Sequence, residues 1–192
     1  YDRQADIWMP YITASQLWEE GRKWRWEPEA RRSVGIYHSH CGVPSGRDSI
    51  FAALVAPGSG LRVESYGACS RNMPVQARRI ADTCDGHRLM LAIENSACDD
   101  YVTEKLLNAI TCGAIPIVRS VNGIPAYEEL YGPIPRIDVG EMSTPELVRQ
   151  LRAVLNNDTH YRHLWTAWRR HASFESATRD PSPIECQLQH AA

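Results

Sequence analysis

The chain has 192 residues, 43% of them hydrophobic, and carries 21 basic against 23 acidic residues, for a formal net charge of −2. This length can bury one substantial core, so one compact domain is the default expectation. A chain so close to neutral offers no extended positive field, which argues against nucleic acid or an anionic membrane surface as its main partner. No apolar run approaches the roughly 20 residues that a membrane-spanning helix needs.

The first 32 residues differ in character from the rest. Trp18, Trp24 and Trp26 lie among charged residues without a clean helical or strand period. We interpret residues 1–32 as a connector from a preceding domain. Because the chain begins at Tyr1 in mid-pattern, we expect it to be a fragment of a longer protein.

Between residues 33 and 170, short β-branched apolar runs alternate with helical patterns, which predicts a parallel sheet covered by helices. The predicted strands are residues 34–39, 62–66, 89–93, 115–118 and 136–139. The predicted helices are 47–55, 75–84, 101–112, one capped by Ser143 or Thr144, and one after Asp158. Residues 171–192 are polar and contain two prolines, so we expect an irregular tail there.

The six cysteines are widely spaced and form no CxxC pair, which argues against zinc-ribbon and thioredoxin-like motifs. Disulfides and buried thiols both remain possible states. Asn157 begins an N-x-T sequon, which fits a secretory compartment. His38, His40 and Cys41 have the character of metal ligands, but no third or fourth ligand follows nearby and the chain has no Asp-x-Asp element. We therefore expect no metal.

The most informative stretch is residues 89–118, which reads as one complete βαβ unit. The carboxyl end of its first strand and the amino end of its helix form a crevice whose free N–H groups favour an anion. One helix face is apolar and is predicted to pack on the sheet: Val102, Leu106, Ala109 and Ile110. The opposite face is polar and begins in the first turn: Tyr101, Glu104, Lys105 and Asn108.

Lys105 is one of only two lysines among the 21 basic residues. A compact, rotatable ammonium beside helix N–H groups suits a diphosphate oxygen, and the neighbouring Glu104 suits a sugar diol because it can accept two hydrogen bonds. The alternative is that both are ordinary solvated helix residues.

Glu94 and Asn95 end the preceding strand, where the Asn95 amide can donate to a phosphate or a sugar, or can simply cap the loop. Arg47 follows Ser45 and Gly46 at the start of the first predicted helix. It can present a charge to the same crevice; the alternative is a surface arginine in a first helical turn.

At these residues the sequence resembles glycosyltransferase family ten, the α-1,3/1,4-fucosyltransferases. The central match is IENSACDDYVTEKLLNA, and further matches are YDRQADIWMPY, SHCGVPSGR, VESYGAC and GAIPIV, so the resemblance covers roughly residues 1–170. It implies the Rossmann-like C-terminal domain of a GT-B glycosyltransferase, over residues 33–170, that binds GDP-fucose. It also implies that no metal or other cofactor is required.

The resemblance implies roles for the residues singled out above. Arg47 and Lys105 would bind the diphosphate and stabilise the leaving group, Glu104 would bind the ribose diol, and the donor pocket would include Glu94, Asn95 and Tyr101. His40 and Gly42 depart from the family's two loop asparagines, and Met90 stands where an aromatic residue is common. The family's general base lies in the N-terminal domain, so it is assigned to no residue here.

We therefore expect an inverting enzyme that moves L-fucose from GDP-fucose to a glycan hydroxyl, with an α-1,3 linkage to GlcNAc as the main interpretation. The alternatives are a protein O-fucosyltransferase of the same family, a catalytically silent GDP-sugar-binding module, or a plain α/β scaffold. The isolated fragment is expected to be inactive. The cysteines and sequon favour a Golgi type II membrane protein when full length, anchored through a segment before residue 1; a bacterial member would be cytoplasmic.

Overall fold

The computed structural model describes residues 12–24, 29–69, 71–74, 86–98, 101–123, 127–140 and 142–170. The predicted helix at 75–84 and the predicted tail at 171–192 lie outside these residues. Within the described parts, no helix combines the length and the apolar character needed to span a membrane.

A five-stranded parallel sheet forms the centre of the fold. Its strands are β1 (Arg31–Ile36), β2 (Val63–Ser65), β3 (His87–Leu91), β4 (Ile115–Val118) and β5 (Ile137–Asp138). Their spatial order is β2-β1-β3-β4-β5, with every neighbouring pair parallel. Strand β2 lies on one side of β1, and the chain then crosses over β1 to place β3 on its other side. The direction in which strands are added therefore reverses between β1 and β3. Open α/β sheets bind ligands at the carboxyl ends of the strands at such a reversal.

All five predicted strands are confirmed, although β1 begins three residues before its predicted start and β3 two residues before. The structure also contains six helices among the described residues: α1 (Ala14–Lys23), α2 (Arg47–Val55), α3 (Glu104–Thr111), α4 (Tyr127–Tyr131), α5 (Thr144–Asn156) and α6 (Asp158–Arg170). The bounds of α2 are those predicted, whereas α3 begins three residues later than residue 101. The α5 cap is a capping box in which Ser143 and Glu146 bond reciprocally.

Helix α1 lies within the segment interpreted from the sequence as a connector, where no helix was predicted. Thr13 and Gln16 form a capping box at its start. Its buried face carries Leu17 and Trp18, at 0% and 7% exposure, and the Trp18 indole donates to the Tyr131 carbonyl at 3.2 Å. The charged residues that obscure the period lie on the outer face of this helix, so it packs as part of the same compact unit as α3 and α4.

The amino edge of the sheet holds a buried charge of its own. Arg88 in β3 is 0% exposed; its guanidinium pairs with Asp158 at 2.6 Å and donates to the Leu155 carbonyl at 3.0 Å. These contacts fasten the α5–α6 junction to the sheet. Because a buried cation is tolerated only when paired and hydrogen-bonded, this arrangement is a structural one.

Candidate functional site

A cleft of about 350 Å³ opens at the carboxyl ends of β1 and β3, beside the amino end of α3. It lies at the point where the strand order reverses. Five of the six predicted site residues line it: Arg47, Asn95, Tyr101, Glu104 and Lys105. Arg47 and Lys105, 58 positions apart, thus meet in one cavity.

The α3 helix presents its two faces as predicted. Val102, Leu106, Ala109 and Ile110 are between 0% and 2% exposed and pack into the core. The opposite face supplies Glu104, Lys105 and Asn108 to the cleft, with Tyr101 just before the helix. Burial of one face therefore fixes the direction in which Lys105 points.

Glu94 occupies a different place from the other five predicted residues. It is 3% exposed and stands behind the cleft wall. One of its carboxylate oxygens accepts the Thr103 backbone N–H at 2.7 Å, and the other accepts the Thr103 hydroxyl at 2.7 Å and pairs with Lys105 Nζ at 3.0 Å. Burial raises the pKa of Glu94, and the charge of Lys105 and the Thr103 hydrogen bonds offset part of that rise. Glu94 therefore holds both the start of α3 and the Lys105 ammonium in place.

As a consequence, the Thr103 side chain does not cap the first turn of α3. Thr103 is the N-cap residue, but its hydroxyl donates to Glu94 and makes no cap bond to the helix backbone. The exposed N–H groups of a first turn carry the positive end of the helix dipole. Lys105 Nζ lies beside them, 2.7 Å from the Thr103 hydroxyl oxygen. The amino end of α3 and the Lys105 ammonium thus lie together at the cleft, and the Glu94 carboxylate offsets part of their positive charge.

Arg47 is a buried cation on the opposite wall. It is 1% exposed, and its guanidinium donates to the Asn95 side-chain oxygen at 2.8 Å and to the carbonyls of Ile93 and His40 at 3.2 and 2.5 Å. Within the described parts of the chain, no hydrogen-bond partner faces its Nε. Burial lowers the pKa of Arg47, whereas nearby negative groups, with Asp48 the strongest, raise it.

The surface-arginine alternative is therefore wrong. Among the described residues Arg47 forms no salt bridge, so hydrogen bonds to carbonyl and amide oxygens, together with the more distant charges of Asp48 and Glu94, compensate its charge. The Asn95 amide oxygen, in the loop after β3, accepts a hydrogen bond from the Arg47 guanidinium and thereby orients it. An anion in the cleft could pair directly with this guanidinium.

Glu104 lies at the rim, with a side chain 60% exposed. Its carboxylate is 3.4 Å from Lys105 Nζ, a long contact between partners of unequal exposure. Exposed pairs of this kind contribute little to stability. The Glu104 carboxylate is thus accessible to accept hydrogen bonds from a ligand diol.

Several residues that line the cleft were not predicted as donor-site residues, and Tyr37, His38 and Thr103 are among them. Tyr37 stacks on Tyr66 at 4.8 Å and follows β1 directly. His38 was considered only as a metal ligand. Burial, with help from the Arg47 charge, lowers the pKa of His38 to about 4, so the imidazole is neutral at neutral pH.

The cysteine of the possible metal cluster is engaged elsewhere, because Cys41 forms a disulfide with Cys69. Cys98 and Cys112 are also disulfide-bonded. In the described parts of the chain, no group of three or more His, Cys, Asp or Glu side chains is arranged to hold a metal ion. The positive charge that the cleft presents comes from Arg47, Lys105 and backbone N–H groups.

Comparison with known proteins agrees with the resemblance. The family model described as glycosyltransferase family 10 (fucosyltransferase), C-terminal part, matches residues 28–190. GDP-fucose protein O-fucosyltransferase 3 of Bos taurus is 34% identical over 134 residues, which cover 64% of this chain and 27% of the relative. The protein of the same name from Xenopus tropicalis is 31% identical over 158 residues, covering 74% and 31%. This chain thus spans less than a third of the length of these relatives.

Solved structures show the same fold. An α1,3-fucosyltransferase with GDP-fucose matches with a TM-score of 0.61 and 17% identity, over 73% of this chain and 40% of that chain. An α1,3-fucosyltransferase with GDP matches with a TM-score of 0.61 and 18% identity, over 73% and 39%. The predicted Rossmann-like domain of a GT-B enzyme is therefore confirmed. Since the family model spans most of the sequence, this chain belongs to glycosyltransferase family 10, the fucosyltransferases.

Proposed function

We propose that the complete protein is an inverting fucosyltransferase and that this chain binds its donor, GDP-fucose, in the cleft at the start of α3. The observation that carries the proposal is the convergence of Arg47, Lys105 and the amino end of α3 at the sheet's reversal point. Nucleotide diphosphates bind at such helix amino ends. Two protein cations would take the place that a divalent ion has in many sugar-nucleotide sites, so the donor needs no added cofactor.

The Lys105 geometry suggests how the donor enters. An ammonium has three protons to donate. Two of its contacts are short, to Thr103 at 2.7 Å and to Glu94 at 3.0 Å, and the third, to exposed Glu104, is 3.4 Å. A phosphate oxygen would replace this weakest contact. Glu104 would then be released to accept hydrogen bonds from the ribose diol, while Tyr101 and Asn95 would complete the pocket.

The proposed reaction is an in-line displacement at the anomeric carbon of fucose. The bond from this carbon to the GDP oxygen breaks with its electron pair remaining on GDP, and a bond to the acceptor hydroxyl oxygen forms on the opposite face. The acceptor proton passes to a general base that we assign to no residue of this chain. Arg47, Lys105 and the α3 amino end would stabilise the charge that develops on the leaving diphosphate.

For the acceptor, we propose a hydroxyl group of a protein. The sequence alone favoured a glycan with an α-1,3 linkage, but relatives at 31% and 34% identity are named protein O-fucosyltransferases. The α1,3-fucosyltransferase structures, at 17% and 18% identity, support the fold alone. The alternative of protein O-fucosylation therefore replaces the glycan as the favoured interpretation.

Transfer by the complete reading frame tests both parts of this proposal. The assay would offer GDP-fucose together with a folded, Ser/Thr-bearing protein domain, N-acetyllactosamine or a chitobiose core, and would follow fucose by mass spectrometry. We expect fucose on the protein hydroxyl. Fucose on a glycan alone would restore the earlier interpretation. GDP binding without transfer or hydrolysis would instead identify a silent sugar-nucleotide module, and the absence of GDP binding would indicate a plain scaffold.

We also propose a location in the secretory pathway, namely the Golgi lumen, with a type II membrane anchor outside this chain. The disulfide-bonded cysteines support it, because disulfides persist in oxidising compartments. Asn157 of the sequon is exposed between α5 and α6, and its side-chain oxygen caps α6 by accepting the His160 N–H at 2.9 Å. The amide nitrogen that would carry a glycan is therefore not the atom that holds the turn.

Expression of the complete protein in eukaryotic cells tests this location. We expect a gel shift on digestion with an N-glycosidase, and the shift attributable to this site should vanish in Asn157→Gln. A protein that accumulates unglycosylated in the cytoplasm with reduced cysteines would contradict the proposal and favour the bacterial, cytoplasmic alternative.

A further inference from the structure

We propose that the Cys41–Cys69 disulfide and Arg119 are positioning groups for donor binding, which fasten the two ends of the loop between β1 and α2. We call residues 37–46 the donor loop, since its first four residues line the cleft and it leads directly into Arg47. This inference rests on the proposed function. It goes further by assigning a role to three residues that lie outside the cleft lining.

The first part of the donor loop packs against residues 67–69, which follow β2. The Cys41–Cys69 disulfide joins the two covalently, with the Cα atoms 5.7 Å apart. A Cβ atom added at Gly67 would lie only 1.8 Å from the His38 carbonyl oxygen, so only glycine permits this approach. The Ala68 backbone N–H also donates to the Ser39 hydroxyl at 3.3 Å.

The second end of the donor loop is held from β4. Arg119 follows this strand, and its guanidinium donates to the Ser45 carbonyl. Gly46 has a φ of 73°, and a Cβ atom there would lie 2.1 Å from Arg119 Nη1. The Ser45 N–H donates to the Asn95 carbonyl at 3.3 Å. The turn that delivers Arg47 is thus packed directly against the Arg119 side chain.

Both attachments affect the orientation of Arg47. Its guanidinium donates to the His40 carbonyl at 2.5 Å, and His40 directly precedes the disulfide-bonded Cys41. Movement of either end of the loop would shift this carbonyl or the backbone of Arg47 itself. A loop already ordered in its binding conformation avoids the entropy of ordering on ligand binding, and small misplacements of a charged group are costly.

The test measures GDP binding by calorimetry with the complete protein. Arg119→Met, and separately Cys41→Ser combined with Cys69→Ser, should each weaken GDP binding about tenfold, the scale of the cost of ordering one long side chain on binding. Arg119→Lys, which can still donate to the Ser45 carbonyl, should recover part of the loss. Arg136→Met is the matched control, because Arg136 also donates to a carbonyl, that of Ile134, but lies outside the cleft.

A double-mutant cycle separates positioning from general destabilisation. If Arg119 acts through Arg47, then Arg119→Met should change GDP affinity by less than about twofold when Arg47→Met is already present. Unchanged GDP affinity in both loop variants, or an equal loss with and without Arg47, would overturn the inference while leaving the proposed function standing. Failure of the wild-type protein to bind GDP would overturn the proposed function itself, and this inference with it.

Discussion

Replacing Lys105 by alanine in the complete enzyme should lower turnover of GDP-fucose sharply. The Lys105 ammonium lies 2.7 Å from the Thr103 hydroxyl and 3.0 Å from Glu94, so it is held in place before the donor arrives. Removing a preorganised donor to a developing charge raises the barrier by about 2 to 4 kcal/mol. At about 1.4 kcal/mol for each factor of ten, the expected loss is roughly 30- to 1,000-fold.

The same substitution also has a structural effect. Glu94 is 3% exposed and would lose its counter-ion, so its pKa would rise further and it would become protonated more readily. A buried acceptor left without its partner costs about 1 to 3 kcal/mol of stability. Glu94→Gln combined with Lys105→Ala should recover much of that stability, because no buried charge remains. It should not recover turnover.

The assay combines GDP release in the presence of acceptor with thermal unfolding of each variant. Lys23→Ala is the matched control, because Lys23 is the other lysine of the chain, is 69% exposed and pairs with Glu20 away from the cleft. We expect it to retain turnover and stability. The reasoning is refuted if Lys105→Ala keeps turnover within about twofold of wild type, or if the added Glu94→Gln restores turnover together with stability.

Three further predictions concern stability. The pKa of His38 is about 4 in the folded chain and 6.5 ordinarily. As the pH falls, His38 is therefore protonated in the unfolded chain before it is protonated in the folded one, which lowers the free energy of unfolding. His38→Gln should therefore reduce the loss of unfolding free energy between pH 7 and pH 5 in chemical denaturation, and an unchanged loss would contradict the assignment. Burial favours the protonated form of Glu64, but the hydrogen bond from Tyr66 and neighbouring positive charges hold its pKa below the usual value. Its stabilisation is thus present at neutral pH and lost in acid, so Glu64→Gln should cost about 1 to 3 kcal/mol at pH 7 and make acid unfolding shallower; equal acid profiles would argue against it. Leu106 is 0% exposed, so Leu106→Ala should lower the unfolding free energy by about 2 to 5 kcal/mol, and a change below about 1 kcal/mol would place this helix face outside the core.

The sheet and its covering helices could be predicted because their signals are local. The apolar run of β4 is bounded by a glycine and a polar loop, and α5 begins with a capping box and a proline. The two faces of α3 follow from a helical period that the core then enforces. These features need no knowledge of what lies opposite in the fold, which is why their bounds agree with the structure to within a few residues.

The contacts that decide each site residue's environment could not be predicted, because they are long-range. The bonds of Arg47 to Ile93 and Asn95 span 46 and 48 positions, and nothing local distinguishes a buried arginine from a surface one in a first helical turn. The same holds for the Cys41–Cys69 pairing, 28 positions apart. Glu94 shows the limit most clearly, since only tertiary structure reveals that its carboxylate turns away from the cleft to hold Thr103.

Helix α1 escaped prediction for another reason. Its buried positions, including Leu17 and Trp18, alternate with charged residues, and a glycine lies within the helix. The stabilising partner of Trp18 is the Tyr131 carbonyl, 113 positions away, so tertiary packing rather than local propensity favours this helix.

The central claim is that Arg47, Lys105 and the amino end of α3 bind the diphosphate of the donor. It is tested most directly by comparing the affinities of GDP and guanosine for the complete protein, by calorimetry in a buffer that chelates divalent ions. Guanosine lacks the charges that Arg47, Lys105 and the first turn of α3 would hold. The account predicts that GDP binds at least about tenfold more tightly, and that Lys105→Ala removes most of this advantage. Equal affinities for the two ligands would contradict it.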